Sequence, residues 1–162
     1  MNTELVICHD FKIVNRSFFD ALKDIEQSKA KSYSCIVWVK KRLTPADCER
    51  LSTLVKNLPI KQTTPVRVLH RRSWAVRDKV VYRLKAEYIN EHYMHVCLLA
   101  SAGTYIKEFV HGDLGRTVPS VGSLLETESD ILQLDVTNVF ESLESVIDLP
   151  DDQLFKIEVN TN

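Results

Sequence analysis

The sequence predicts an α+β fold in which a mixed, mainly antiparallel sheet carries flanking helices. Three observations support this prediction. Short runs of β-branched and aromatic residues alternate with turn residues, three segments place apolar residues at helical spacing, and a four-residue connection between two apolar runs is typical of a hairpin. With 162 residues, 44% of them hydrophobic, the chain is long enough for one domain with its own core.

The first third of the chain predicts a strand, a helix and a second strand. Alternating apolar residues over Glu4–Val14 indicate one strand or two short ones. Apolar residues at helical spacing over Ser17–Gln27 indicate a helix capped by Ser17. The run Ser32–Val39 is rich in β-branched and aromatic residues, which predicts a largely buried strand.

A second helix is predicted to begin at Thr44, with Pro45 in its first turn. Its buried stripe is expected to contain Leu51, Leu54 and Val55, and Leu58-Pro59 is expected to end it. The segment Ile60–Leu69 follows, and its Pro65 indicates an edge strand or a break.

The rest of the chain predicts a hairpin, a helix and a last strand. Lys79–Tyr88 and Tyr93–Ala100 form the hairpin, residues 103–114 form the helix with Ile106, Phe109, Val110 and Leu114 on one face, and Ile131–Val139 is the strand. Residues 1–147 are expected to form the domain, and residues 148–162 an acidic tail that frays because it has few core residues.

The formal net charge of −1 hides an asymmetry. Seven cations and one acid lie between Val66 and Lys85, whereas ten acids and one base lie between Glu126 and Asn162. A basic block within a neutral chain favours nucleic-acid binding, and a solvated surface of lysines and arginines is the alternative. The acidic end is most simply solvating.

Several classes of protein and site do not fit this sequence. It has no apolar run of membrane-spanning length, no visible secretory signal, no phosphate-binding or dinucleotide glycine motif and no metal-ligand spacing. The scattered cysteines (Cys8, Cys35, Cys48 and Cys97) are expected to be reduced thiols of a nuclear or cytoplasmic protein. We therefore expect no membrane association, no metal, no cofactor and a monomer.

Two candidate site residues come from local context. Lys107 follows Gly103-Thr104-Tyr105-Ile106 at a strand-to-helix corner, where a lysine can bind a phosphate or hold a carboxylate ionised. Alternatively, it is an ordinary exposed helix lysine. Tyr33 lies between lysines at the start of a buried strand, where it can stack on a base or transfer a proton, or else pack as a strand-start tyrosine.

A third candidate is the arginine-rich stretch that begins at Thr64-Pro65. If the strand persists there, Arg67, Leu69 and Arg71 point to one face and Val66, Val68 and His70 to the other. Arginines at this density suit the phosphates of a folded RNA. The RNA-binding residues predicted from it are Arg67, His70, Arg71, Arg72 and Arg77. His70 is also compatible with a structural role.

Four stretches together resemble the C-terminal part of the pseudouridine synthase ten family, the archaeal and eukaryotic tRNA pseudouridine synthases. They are KSYSCIVW (31–38), QTTPVRVLHRRSWAVR (62–77), AGTYIKEFVHGDLGRTVPSVGSLL (102–125) and DILQLDV (130–136). The resemblance covers about residues 1–140 in the right order and spacing. It implies a pseudouridine-synthase-like sheet with flanking helices, forming part of a catalytic domain.

The resemblance also implies an activity and a set of roles. Such enzymes are isomerases that convert uridine to pseudouridine without metal or cofactor, and this family acts on uridines 54 and 55 in the T arm of tRNA. Tyr33 matches the tyrosine that stacks on the flipped base and is a candidate to take its C5 proton. Lys107 matches the partner of an essential aspartate, and Ile106 and Leu134 match apolar residues of the pocket.

The family's aspartate belongs to an Arg-x-Asp-Val-Arg-like motif, which this sequence lacks, and Asp10 is without that context. We therefore expect an incomplete catalytic domain. The alternatives are an RNA-binding remnant without catalysis and a protein-interaction domain with no role in RNA binding.

Overall fold

The computed structural model describes residues 13–18, 29–144 and 146–155. Its six strands are β1 (Lys31–Val39), β2 (Lys56–Thr63), β3 (Val76–Asn90), β4 (Tyr93–Ala100), β5 (Thr117–Val118) and β6 (Ser129–Val139). They form one sheet in the order β5-β2-β3-β4-β1-β6, and every pairing among these strands is antiparallel. The predicted α+β class is confirmed. The predicted strand Glu4–Val14 and helix Ser17–Gln27 lie largely outside the described residues.

The helices from residue 29 onwards are short. They are α1 (Pro45–Leu54), α2 (Ile106–His111), α3 (Val121–Leu125) and α4 (Asp151–Leu154), with 3-10 helices at Val66–Val68 and Gly112–Gly115. The predicted cap of α1 is confirmed: Thr44 Oγ1 accepts from the Asp47 backbone N–H at 3.2 Å, and Asp47 Oδ2 accepts from the Thr44 N–H at 3.0 Å. Of the predicted buried stripe, Leu51 and Val55 are buried, but Leu54 is 48% exposed because it ends the helix on the solvent side.

Two proline predictions have different outcomes. Leu58-Pro59 does not end a helix, because α1 ends at Leu54 and Pro59 lies inside β2. There β5 pairs only with Lys61 and Gln62, so β2 has a single neighbour beside Pro59 and the missing N–H is tolerated. The break expected at Pro65 is confirmed, since β2 ends at Thr63.

The predicted hairpin is confirmed as β3 and β4, with β3 longer than expected. Its turn is Glu91-His92, and Asn90 Oδ1 accepts from the backbone N–H groups of His92 at 3.0 Å and Tyr93 at 3.1 Å. The side chain of Asn90 therefore closes the turn that the sequence predicted.

The main core lies between one face of the sheet and the helices α1, α2 and α3. Alternate side chains of β1 face it, and Cys35 and Val37 are buried there together with Met94 of β4 and Phe109 of α2. Strand β4 is in the middle of the sheet and contributes to the opposite face as well, through Leu99. Burial on both faces explains its nearly unbroken apolar sequence.

Residues 148–155 pack against the sheet, contrary to the fraying expected for this part of the chain. A second apolar cluster brings Leu154 of α4 and Val146 against Leu99. The guanidinium of Arg83 donates to the backbone carbonyls of Ile147 and Leu149 and forms an ion pair with Asp151 at 3.2 Å. Residues 156–162 lie outside the described part of the chain.

Candidate functional site

The strand-to-helix corner that carries Lys107 is fixed by hydrogen bonds to a buried glutamine. Gln62 of β2 is fully buried, its Oε1 accepts from the Tyr105 N–H at 2.9 Å, and its Nε2 donates to the Tyr105 carbonyl at 2.9 Å. Gly103 has φ +70°, a conformation that glycine adopts without strain. Both backbone groups of the residue before α2 are thereby fixed, which sets the directions of Ile106 and Lys107.

The corner differs from its prediction at its far end. Helix α2 ends at His111, and Asp113 and Leu114 follow in the left-handed region with φ 46° and 56°. Leu114 was expected on the buried face but is 95% exposed, because the change in backbone direction after Gly112 turns it away from the core. Ile106, Phe109 and Val110 are buried as predicted.

Lys107 and Leu134 meet at one small cleft. The cleft has a volume of about 130 Å³ and is otherwise lined by Ile131, Leu132 and Gln133 of β6. Lys107 is exposed, and none of the described residues that line the cleft carries a carboxylate. Lys107 therefore lies beside mainly apolar residues of β6.

Tyr33 and Ile106 lie in the core that adjoins this cleft. Tyr33 is 8% exposed on β1, between Leu98 of β4 and Val136 of β6, and Ile106 belongs to the same apolar cluster. Burial raises the pKa of the Tyr33 phenol, so it stays protonated at neutral pH. Together, β1, β6 and α2 position all four residues predicted as catalytic.

The arginine-rich stretch is a loop over residues 64–75, and the predicted alternation of its faces is wrong. A 3-10 helix occupies Val66–Val68, since Pro65 cannot continue the strand ladder. Thr64 closes the loop: its Oγ1 donates to the Ser73 carbonyl at 2.9 Å and accepts from the Ala75 N–H at 3.0 Å and from Arg77 at 3.1 Å.

Arg67 joins this loop to α2. Its Nε and Nη2 donate to the two carboxylate oxygens of Glu108 at 2.6 and 3.3 Å, and its guanidinium lies 5.8 Å from the centre of the Tyr105 ring. The Glu108 side chain is 2% exposed and that of Arg67 is 52% exposed. The hydrogen bond with Glu108 raises the pKa of Arg67. Arg67 is therefore engaged in an internal ion pair, and its predicted role in RNA binding stays a prediction.

The remaining predicted RNA-binding residues lie on or beside the loop. His70 and Arg71 are exposed. Arg72 donates to the Tyr105 hydroxyl at 3.1 Å, and Arg72 and Arg77 line a common cleft. The Val66 N–H also donates to Asp113 at 3.1 Å. The loop is thus tied to the corner from both sides, which keeps its cations next to α2.

Sequence reasoning missed Gln62 and Glu108. Both side chains bind residues about forty positions away, so no local pattern indicates their partners. Buried polar groups need hydrogen-bond partners, but only the fold shows which ones they have.

Two kinds of feature are absent from the residues that the structure describes. No group of three or more His, Cys, Asp or Glu side chains is arranged to hold a metal ion. No helix in this part of the chain is both long and apolar enough to cross a membrane.

Comparisons with solved structures show the fold. The chain matches a structure described as "Crystal Structure of a Cbf5-Nop10-Gar1 Complex" with a TM-score of 0.57 and 18% identity, covering 79% of this chain and 38% of that one. It also matches "Structure of H/ACA RNP bound to a substrate RNA containing 2'-deoxyuridine" with a TM-score of 0.52 and 14% identity, covering 80% of this chain and 36% of that one.

Comparisons of sequence show the family. The chain is 46% identical to the human "tRNA pseudouridine synthase Pus10" over 130 residues, which are 80% of this chain and 24% of that protein. It is 38% identical to the protein of the same name from Thermofilum pendens over 136 residues, 82% of this chain and 30% of that protein. The matched part of the chain thus spans 24–30% of the length of these relatives. A sequence profile of the family described as "Pus10, C-terminal" matches residues 1–140, and the chain therefore belongs to that family.

Proposed function

We propose that this chain supplies one side of the active site of a tRNA pseudouridine synthase. The observation that carries the proposal is the shared cleft of Lys107 and Leu134, with Tyr33 and Ile106 in the adjoining core, in a chain of the Pus10 C-terminal family. The reaction breaks the bond between ribose C1′ and uracil N1 and forms a bond between C1′ and C5. The C5 proton is lost and N1 gains one, so no oxidant, metal or cofactor is consumed.

Each residue has a role that its environment supports. Lys107 holds an aspartate from another segment ionised beside the ribose. Tyr33 stacks on the flipped uracil, and its raised pKa keeps the ring neutral. Ile106 and Leu134 exclude water from the pocket, which strengthens the ion pair. The substrate is the T arm of tRNA, with uridine 54 or 55 as target.

A chimera tests this proposal. Residues of this chain replace the matching segment of the human relative, and release of tritium from T-arm RNA that carries uridine labelled at C5 is measured. We expect the chimera to be active. Lys107→Met should reduce its rate at least about 100-fold, since the paired aspartate loses its cation. Lys61→Met, which changes an exposed lysine on β2, is the matched control and should retain activity.

The folding of the variant is checked in this chain alone. Lys107 is exposed and its cleft contains no acid among the described residues, so Lys107→Met should change the free energy of unfolding by less than about 0.5 kcal/mol. A loss of activity then reports on the site and not on stability. An active chimera that tolerates Lys107→Met would overturn the assigned role.

The absence of an acid from the described wall of the Lys107 cleft favours one second candidate, an RNA-binding remnant without catalysis. It predicts a chimera that binds T-arm RNA but releases no tritium. Both candidate functions treat the site as incomplete in this chain. Activity of this chain alone would contradict both, because one of its own acids would then have to complete the site.

A further inference from the structure

A cleft of about 480 Å³ beside the Gly103 turn is surrounded by positive charge. Its lining comprises four cations and three residues of the corner: Lys31, Arg72, Arg77, Lys79, Ala102, Gly103 and Tyr105. No acidic side chain belongs to its wall in the part of the chain that the structure describes. Of these cations, only Arg72 and Arg77 are among the RNA-binding residues predicted from the sequence.

The sheet explains how cations that are distant in sequence meet here. Ala100 at the end of β4 pairs with Lys31 of β1 on one side and with Val81 of β3 on the other. Arg77 and Lys79 precede Val81 on the same strand at alternate positions, and such side chains share one face. The two strands that flank β4, β1 and β3, therefore deliver lysine or arginine to the same end of the sheet, where the 64–75 loop adds another arginine.

The ammonium group of Lys79 is held in the cleft. It donates to the Ala102 carbonyl at 2.7 Å, and a Cβ at Gly103 would lie 3.4 Å from it. Burial lowers the pKa of Lys79, and the charge of Arg77 lowers it further. Two cations are thus kept close together, and an anion between them would relieve their repulsion and accept hydrogen bonds from both.

We infer that this cleft binds a phosphodiester group of an RNA strand, with Lys31 and Lys79 as contacts additional to Arg72 and Arg77. Guanidinium and ammonium groups are the usual donors to phosphate oxygens. The one aromatic ring in the lining belongs to Tyr105. The Arg67 guanidinium lies 5.8 Å from its centre and Arg72 donates to its hydroxyl, so this part of the wall offers mainly positive charge. The exposed Arg71 continues the positive surface along the loop, which suits a chain of phosphates.

This inference rests on the RNA substrate of the proposed function, but its test needs no catalysis. The probe is a fluorescein-labelled T-arm RNA stem-loop, titrated with the full chain at a series of KCl concentrations. The test variant is Lys31→Gln/Arg77→Gln. The control, Lys40→Gln/Arg42→Gln, removes the same charge from exposed residues that pair with Glu128 and Glu91.

We expect the test variant to bind RNA on the order of 20-fold more weakly. Its slope of log affinity against log salt concentration should fall by the equivalent of about one phosphate contact. The affinity of the control should change by less than about 3-fold. Lys31→Arg/Arg77→Lys keeps both charges and should bind within about 3-fold of the unmodified chain. Thermal unfolding is measured for each variant. If the glutamine pair lowers the unfolding temperature, Lys31→Gln alone replaces it and should still reduce the slope.

Equal losses in the test and control variants would overturn the inference. So would displacement of the RNA by inorganic phosphate at concentrations equal to those of unlabelled RNA, since the cleft would then be a site for a free anion. Cleft-dependent RNA binding without tritium release from the chimera would refute the proposed function and leave this inference standing.

Discussion

Replacing Arg67 by methionine leaves the carboxylate of Glu108 buried without its cation. The Glu108 side chain is 2% exposed, and losing one partner of a fully buried pair costs about 3–5 kcal/mol. The side chain of Arg67 is 52% exposed, so water reaches the space that the guanidinium leaves and solvates the carboxylate in part. We therefore expect Arg67→Met to lower the free energy of unfolding by about 2 kcal/mol.

A double-mutant cycle separates the ion pair from the packing of the two side chains. Arg67→Met/Glu108→Leu removes both charges, and its cost should be no more than about 1 kcal/mol because nothing charged stays buried. The assay is urea unfolding followed by tryptophan fluorescence, with unchanged dependence on urea concentration as the sign that both states are comparable.

The matched control is Arg42→Met, which breaks a 3.2 Å ion pair with Glu91 whose side chains are 78% and 53% exposed. It should cost less than about 0.5 kcal/mol, because exposed pairs contribute little. The reasoning is refuted if Arg67→Met lowers the free energy of unfolding no more than Arg42→Met does. It is also refuted if the loss in the double variant equals the sum of the losses in Arg67→Met and Glu108→Leu.

Three further predictions concern the cap of α1, the glycines after α2 and a core thiol. The hydrogen bond from Thr44 lowers the pKa of Asp47 below its ordinary 3.8. In urea unfolding, the unmodified chain should therefore be about 1 kcal/mol more stable than Asp47→Ala above that pH, and this difference should disappear as the pH falls through the folded-state pKa. A difference that grows in acid would contradict the cap. In the same assay, Gly112→Ala should lower the free energy of unfolding by about 2 kcal/mol and Gly115→Ala by about 1 kcal/mol. Both glycines have positive φ, but only the Cβ at Gly112 would lie 3.0 Å from a neighbouring side-chain oxygen. Equal losses would show that this contact relaxes. Burial, with a smaller contribution from a neighbouring thiol, raises the pKa of Cys35 to about 12, so iodoacetamide at pH 8 should alkylate Cys35 only after unfolding, as peptide mass spectrometry would detect; rapid labelling of the folded chain would show that the thiol is accessible.

Local signals determined much of the fold. The strand over Ser32–Val39, the helix start at Thr44-Pro45 and the β3–β4 hairpin depend on residues within a few positions of one another, and each was predicted from the sequence. The same holds for the candidate site residue Lys107, since a strand, a glycine turn and a short helix are all local features. Where a helix ends was less predictable, as the exposed Leu54 shows, because the last turn depends on what packs beside it.

Tertiary structure decided which polar groups meet. Gln62 holds Tyr105 across 43 positions, and Glu108 forms an ion pair with Arg67 across 41. Lys31 and Lys79 line one cleft only because their strands, β1 and β3, both pair with β4. The sequence by itself determined where strands, caps and turns form, because those depend on short-range sterics and hydrogen bonds. Partners across the fold depend on register and on the burial of groups that need a hydrogen bond, and these arise only when the sheet is assembled.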